Sequence, residues 1–252
     1  MKKIFLVLFV LFTNSSSQTI TLAVSANVSY AINDLVKEFN KEHKNTKVQV
    51  ILGSSGKLTA QINNGAPYQL FMSANMKYPQ ALYENALALN KPKVYAKGSL
   101  VFISKKPQDF SNIFKLLKSS NIRKIAIANP KTAPYGIATK EALQNAKIYE
   151  KIKNKFIYGE SISQTVSYTM VATDIGIVAK SSLYSPKMKK YQNTTNSLDV
   201  NPELYTAISQ GIVILKSAKD NKEVKDFYTF IFTKKAQKIL ENFGYKISIA
   251  SP

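Results

Sequence analysis

Four turns in this chain bring a serine or a main-chain N–H to the start of a helical pattern. "LAVSANV" at 22–28 closes a strand-like run and puts Ser25 just before such a pattern. "ILGSSGKLTAQI" at 51–62 does the same with Ser54 and Ser55. "IANPKTAPYGIATKEAL" at 127–143 leads through Pro134 and Tyr135 into a helix, and "YGESISQTVSYTM" at 158–170 offers Ser161, Ile162 and Ser163 at another helix start. A helix N-terminus exposes unpaired N–H groups and carries roughly half a positive charge. A serine there adds a hydroxyl donor. Several such ends meeting at one point would hold a small, fully deprotonated oxyanion without any charged side chain. Taken singly, each serine reads equally well as an N-cap.

Other chemistries fit these residues less well. A serine hydrolase needs a base beside its nucleophile. The sole histidine, His43, ends the first helical stretch amid Glu38, Lys41 and Lys44, and is expected at a surface position away from the turns. A serine–lysine pair of Ser55 with Lys57 is conceivable, but Lys57 is expected to point to solvent. A phosphate loop needs four residues between its glycines and a hydroxyl after the lysine. Only two residues separate Gly53 from Gly56, and Leu58 follows Lys57. The carboxylates Asp34, Glu38, Asp174 and Asp199 form no ligand-spaced metal cluster.

The elements that must position these turns alternate between strand and helix. Strands are predicted over 19–24, 47–52, 69–73, 97–105, 124–128, 175–178, 205–208 and 211–215. Helices are predicted over 26–43, 57–64, 78–86, 113–118, 135–145 and 224–243, with loop over 186–202. Alternation of this kind makes an α/β fold with mostly parallel sheets, whose ligands sit beyond the strand C-terminal ends. All four turns lie at such ends.

The chain has 252 residues, 45% of them hydrophobic, enough for one large domain or two lobes. Residues 1–17, with Lys2 and Lys3 before an apolar run, have the order of a secretory signal peptide cleaved between Ser15 and Gln18. There is no cysteine. Disulfides, thiol nucleophiles, zinc–thiolate sites and a lipid anchor on an N-terminal cysteine are therefore excluded, and a soluble protein of the periplasm is expected. The net charge of +20 comes almost wholly from lysine, since Arg123 is the single arginine. Readers of nucleic acid lean on arginine forks, so a solvated basic surface is expected rather than a nucleic-acid interface. An exported polyanion binder and an exported enzyme using Ser55 stand as rival readings.

In order along the chain, "ITLAVSANVSYAINDLVKEF", "GSSGKLTAQINNGAPYQLFMSANMKYPQAL", "GSLVFI", "IAIANPKTAPYGIATKEAL", "IGIVAKSSL" and "FYTFIFTKKAQKILENFGY" resemble the periplasmic molybdate-binding proteins of ABC-type uptake systems. The resemblance implies an α/β, two-lobed periplasmic binding protein of type II, with a mixed, mostly parallel sheet in each lobe and a two-strand hinge. Residues 18–96 plus 208–252 would form lobe 1 and residues 97–207 lobe 2, with the hinge near Gly98–Ser99 and Tyr205–Ala207. It further implies a ligand, molybdate or tungstate, held by Ser25, Ser55, Tyr135 and Ile162, the serines giving hydroxyl and N–H and the other two main-chain N–H. There would be no direct metal ligation and no cofactor, and sulfate is the alternative oxyanion. The protein would act as a monomer, not as an enzyme, and its partner would be a membrane permease. One departure stands out. Many members carry a tyrosine after the strand "GIV", where this chain has Ala179. Tyr135, Tyr168, a water or no replacement are the alternatives for that donor.

Overall fold

The computed structural model describes residues 18–247, so the expected signal peptide at 1–17 lies outside the described residues. Seven elements open the chain: β1 (Gln18–Ser25), α1 (Ile32–Phe39), β2 (Thr46–Gly53), α2 (Ser55–Asn63), β3 (Leu70–Ser73), α3 (Lys77–Glu84) and β4 (Lys93–Gly98). Then come β5 (Leu100–Ile103), α4 (Ile113–Lys118), β6 (Ile125–Ala128), α5 (Pro134–Asn145), α6 (Tyr149–Ile152), β7 (Phe156–Gly159), α7 (Ile162–Val171), β8 (Ile175–Ala179) and β9 (Ser197–Asp199). The chain returns through β10 (Ile208–Ile214), α8 (Lys222–Phe230) and α9 (Lys234–Asn242).

Two five-stranded sheets result, ordered β2-β1-β3-β10-β4 and β7-β6-β8-β5-β9. Both are mixed: β1 pairs in parallel with β2 and β3, and β6 with β7 and β8, while the remaining pairings are antiparallel. The parallel strands read as near-continuous apolar runs because helices cover both faces. β6 (Ile-Ala-Ile-Ala) is buried at every position. In lobe 1, Ile32, Leu35 and Phe39 of α1 pack with Val224 and Phe227 of α8 on one side of the sheet. Leu58, Ile62 and Leu82 fill the other side. Lobe 2 has its main core under α5, around Ile125, Ile127, Ile175 and Ile177.

The lobes join at two crossings. β4 ends at Gly98 and β5 begins at Leu100, so the predicted strand over 97–105 is broken at Ser99, where the chain changes lobes. The return crossing precedes β10, whose Ile208 pairs with Gly98, so the two connections lie side by side as the hinge.

Local chemistry explains the other differences from the predicted elements. The helix predicted over 224–243 is two helices, because the Thr233 side chain accepts from the Ala236 N–H and caps a new start. The predicted 26–43 helix begins as a short 3-10 turn, Ala26–Val28, before α1. The predicted strands 205–208 and 211–215 are one strand, β10, with a register shift between Gln210 and Gly211. β7, α6 and the short β9 went unpredicted; β7 is only four residues, Phe-Ile-Tyr-Gly, at a sheet edge, and β9 has three residues in a polar loop.

Candidate functional site

Parallel register brings three strand ends of lobe 1 to one edge. Ser25 lies opposite Gly53 across β1 and β2, and Val24 lies opposite Met72 across β1 and β3. The turns after these ends therefore converge. The Ser25 and Ser55 hydroxyls meet at 2.5 Å, and both accept from the Ala74 N–H, at 3.1 and 3.0 Å. Ser25 is 2% exposed and Ser55 fully buried. Neither hydroxyl caps a helix: Ser25 makes no cap bond to the 3-10 turn it precedes, and the cap position of α2 belongs to Ser54. Two buried hydroxyls spared from capping, and turned toward each other at helix starts, are free to reorient toward a ligand.

Lobe 2 repeats the arrangement. Ala128 lies opposite Gly159 across β6 and β7, so the loops running on to Tyr135 and Ile162 leave the same sheet edge. Pro134 takes the first position of α5, where its missing N–H costs nothing, and Tyr135 the second. Ile162 is the first residue of α7. Among the described residues no acceptor takes the N–H of Ser55, Tyr135 or Ile162. Ser161, by contrast, is an ordinary cap whose side chain accepts from Gln164 N.

Ser25, Ser55, Tyr135 and Ile162 all line one small pocket between the lobes, and Ala74 and Asn27 line it with them. No carboxylate, lysine or arginine is in its wall. The nearest charges stand at its rim. Glu160 accepts from the Ser54 hydroxyl at 3.1 Å and faces Lys57 Nζ at 3.9 Å. Further bonds draw the lobes together: Gly56 N–H to the Thr132 carbonyl at 2.9 Å, and the Ser181 hydroxyl to the Asn27 carbonyl at 3.0 Å. Donors that all stay neutral, mounted on rigid helix starts in a closed gap, can hold an anion by oriented dipoles.

Neither tyrosine considered as a substitute for the absent one at Ala179 presents its hydroxyl to this pocket. Ala179 itself is fully buried at the end of β8. The Tyr135 phenol turns away into the hinge, beside Gln210. Burial, reinforced by the Tyr245, Tyr95 and Tyr205 phenols, holds its pKa well above the usual value, so it stays neutral. Tyr168 sits half-buried in the second turn of α7 and is not in the pocket wall.

Some of the wall escaped the sequence reading. Ala74 gives only its N–H, and the signal for it was positional: it follows strand β3 at the same sheet edge. Asn27 gave no signal, since its partners are distant in sequence. It donates through Nδ2 to Gln210 Oε1 at 2.8 Å and to the Tyr245 hydroxyl at 2.9 Å. His43 lies outside the cleft, stacked on Phe39 and bonded through Nδ1 to Glu223 at 2.8 Å. With Asp226 these two residues form a group of metal-ligand spacing that carboxylate spacing in the sequence did not show. The Glu223 and Asp226 carboxylates are already engaged by Thr46 and Lys222.

Residues 20–246 match the model of a bacterial extracellular solute-binding protein. The chain is 33% identical over 231 residues to the molybdate-binding protein ModA of Azotobacter vinelandii, covering 90% of this chain and 89% of that one. It is 32% identical over 227 residues to the ModA of Rhodobacter capsulatus, covering 88% and 86%. The solved periplasmic molybdate-binding protein of Azotobacter vinelandii superposes with a TM-score of 0.84 at 30% identity, over 91% of this chain and 99% of that one. The chain belongs to the bacterial extracellular solute-binding proteins.

Proposed function

We propose that this protein captures molybdate between its lobes and delivers it to the membrane permease of an ABC-type transporter. The observation that carries this is the meeting of Ser25, Ser55, Tyr135 and Ile162 around one pocket that has no charged side chain in its wall. Ser25 and Ser55 give hydroxyls, and the N–H groups of Ser55, Tyr135 and Ile162 complete the ring with no bond to the metal itself. Relatives named for molybdate binding support the choice of anion. Each bond to a charged acceptor contributes about 1.5–3 kcal/mol. Three of these donors belong to lobe 1 and two to lobe 2, so only closure satisfies the anion, and bound ligand favours the closed form.

The protein works as a periplasmic monomer without a cofactor and leaves the bonds of its ligand intact. Among the described residues no helix is long and apolar enough to cross a membrane. Tungstate, close to molybdate in size and charge, takes the same place. Sulfate is smaller and would stretch the donors. Hydrogen phosphate carries a proton, and no carboxylate in the wall is there to accept it.

Melting curves with each of the four oxyanions test this. At a hundredfold excess over Kd, molybdate and tungstate are expected to raise Tm by about 5–10 °C. Sulfate and phosphate are expected to give little shift. Sulfate bound as tightly as molybdate would reassign the protein to that anion. No shift with any oxyanion, together with retention on DNA or anionic vesicles at physiological salt, would reassign it to the polyanion binders.

A further inference from the structure

Tyr135 works in two directions. Its main-chain N–H faces the cleft, while its phenol runs into the hinge. There the hydroxyl stands 3.5 Å from Gln210 Nε2. It also fills the space that a side chain at Gly98 would need: a Cβ there would lie 2.0 Å from the Tyr135 oxygen and 2.9 Å from Gln210 Nε2. The described glycines with positive φ are Gly65 and Gly244. Gly98 is thus a glycine for close approach rather than for backbone freedom.

Gln210 is fully buried at the point where β10 shifts register against β4. Its amide has a fixed sense. Nε2 donates to the Ile208 carbonyl at 3.2 Å, which leaves Oε1 to accept from Asn27 Nδ2 at 2.8 Å. Asn27 is held in turn by Tyr245, whose hydroxyl donates to the Asn27 carbonyl at 2.8 Å. Asn27 stands two residues beyond Ser25, in the first cleft turn of lobe 1. One buried glutamine on the hinge therefore touches the cleft turn of lobe 1 through Asn27 and the cleft helix of lobe 2 through Tyr135.

We infer that Gln210 is a positioning residue that sets how closely the two halves of the cleft approach, with Gly98 bare so that the Tyr135 phenol can seat beside it when the lobes draw together. The inference rests on the oxyanion reading above. Charge-assisted hydrogen bonds need donors placed to within a fraction of an ångström. A hinge that stops short would weaken every bond from the far lobe at once.

The test is a mutant cycle read by calorimetric titration with sodium molybdate and by small-angle scattering with and without saturating molybdate. Gly98→Ala is expected to weaken molybdate by about tenfold or more and to leave the saturated protein more expanded than wild type. Adding Tyr135→Phe removes the colliding oxygen and is expected to recover about threefold or more of the lost affinity and part of the closure, with the Tyr135→Phe single variant completing the cycle. Gln210→Met, which keeps the volume but loses both amide bonds, is expected to weaken binding about tenfold and to close incompletely. Wild-type affinity and closure in Gly98→Ala and Gln210→Met, or no recovery in the double variant, would overturn the inference while the oxyanion reading stands. A wild-type protein that binds no oxyanion would overturn both.

Discussion

The two lobes repeat one topology with different chemistry. In each sheet three parallel strands end at the cleft and two antiparallel strands complete the order. Lobe 1 fills its strand ends with hydroxyls, Ser25 and Ser55, which converge on the N–H of Ala74. Lobe 2 brings Tyr135 and Ile162, whose side chains go to the hinge and the core and whose N–H groups alone remain for the cleft. On the proposed reading, lobe 1 would contribute hydroxyls as well as a main-chain N–H, and lobe 2 main chain alone. A side-chain donor is deleted by an ordinary substitution. A backbone donor survives every substitution except proline.

That asymmetry gives the largest expected effect. Ser25→Ala and Ser55→Ala should each weaken molybdate by about 1.5–3 kcal/mol, roughly tenfold to a hundredfold. Each single variant should stay folded, because the Ala74 N–H keeps the other hydroxyl as acceptor. Together they also leave Ala74 N–H without a partner, so the double variant should lose both affinity and melting temperature. Calorimetry beside thermal melts checks this; a double variant with wild-type affinity would move the site elsewhere.

The backbone half calls for a paired comparison. Ile162→Ala and Ile162→Pro both remove a side chain that is 4% exposed, so both should lose core stability. Only the proline also removes the N–H. Proline suits the first position of a helix, and Ser161 before it, at φ −138° and ψ 169°, already has the extended conformation that precedes proline. Ile162→Pro should therefore bind molybdate about tenfold more weakly than Ile162→Ala. Equal affinities would remove Ile162 from the ring. A smaller effect is expected at the rim, where Ser54→Ala loses one interlobe bond to Glu160. There the cost should be about 0.5–1.5 kcal/mol, read as faster molybdate release.

The same contrast explains what the sequence disclosed. Serines at strand-to-helix turns show in residue type, so Ser25, Ser54, Ser55, Ser161 and Ser163 stood out as candidates, and the resembling motifs selected Ser25 and Ser55 among them. Tyr135 and Ile162 would act through main chain, so their types say little; position within the resembling motifs pointed to them. Ala74 is the extreme case, a donor with no side-chain signature. The alternation of strands and helices was plain because buried parallel strands are apolar throughout, as in β6. The crossing at Gly98–Ser99 was expected only from the resemblance, because the strand predicted over 97–105 ran straight through Ser99, and the split at Thr233 was masked by a helical pattern that continues on both sides of it. The Asn27–Gln210–Tyr245 set was out of reach for another reason. Its members lie 183 and 218 residues apart, and buried amides gain meaning only from partners that folding supplies.

The smallest expected effect lies in lobe 1, away from the cleft, where His43 meets α8. Glu223 accepts from the Thr46 hydroxyl at 2.5 Å and from His43 Nδ1 at 2.8 Å, joining the start of β2 and the residues after α1 to α8. The Thr46 bond, then the His43 contact, hold the Glu223 carboxyl below its usual value. Around the ordinary carboxylate range the unfolded chain then binds more protons at this residue than the folded one. Stability from the group is therefore complete above that range and is lost as pH falls through the lowered folded value. Glu223→Gln should reduce stability at neutral pH by about 1 kcal/mol. It should also flatten the acid side of the Tm–pH curve, while molybdate affinity at neutral pH changes little because the cleft is built from other strand ends. An acid slope identical to wild type would mean that the contact carries no linked proton.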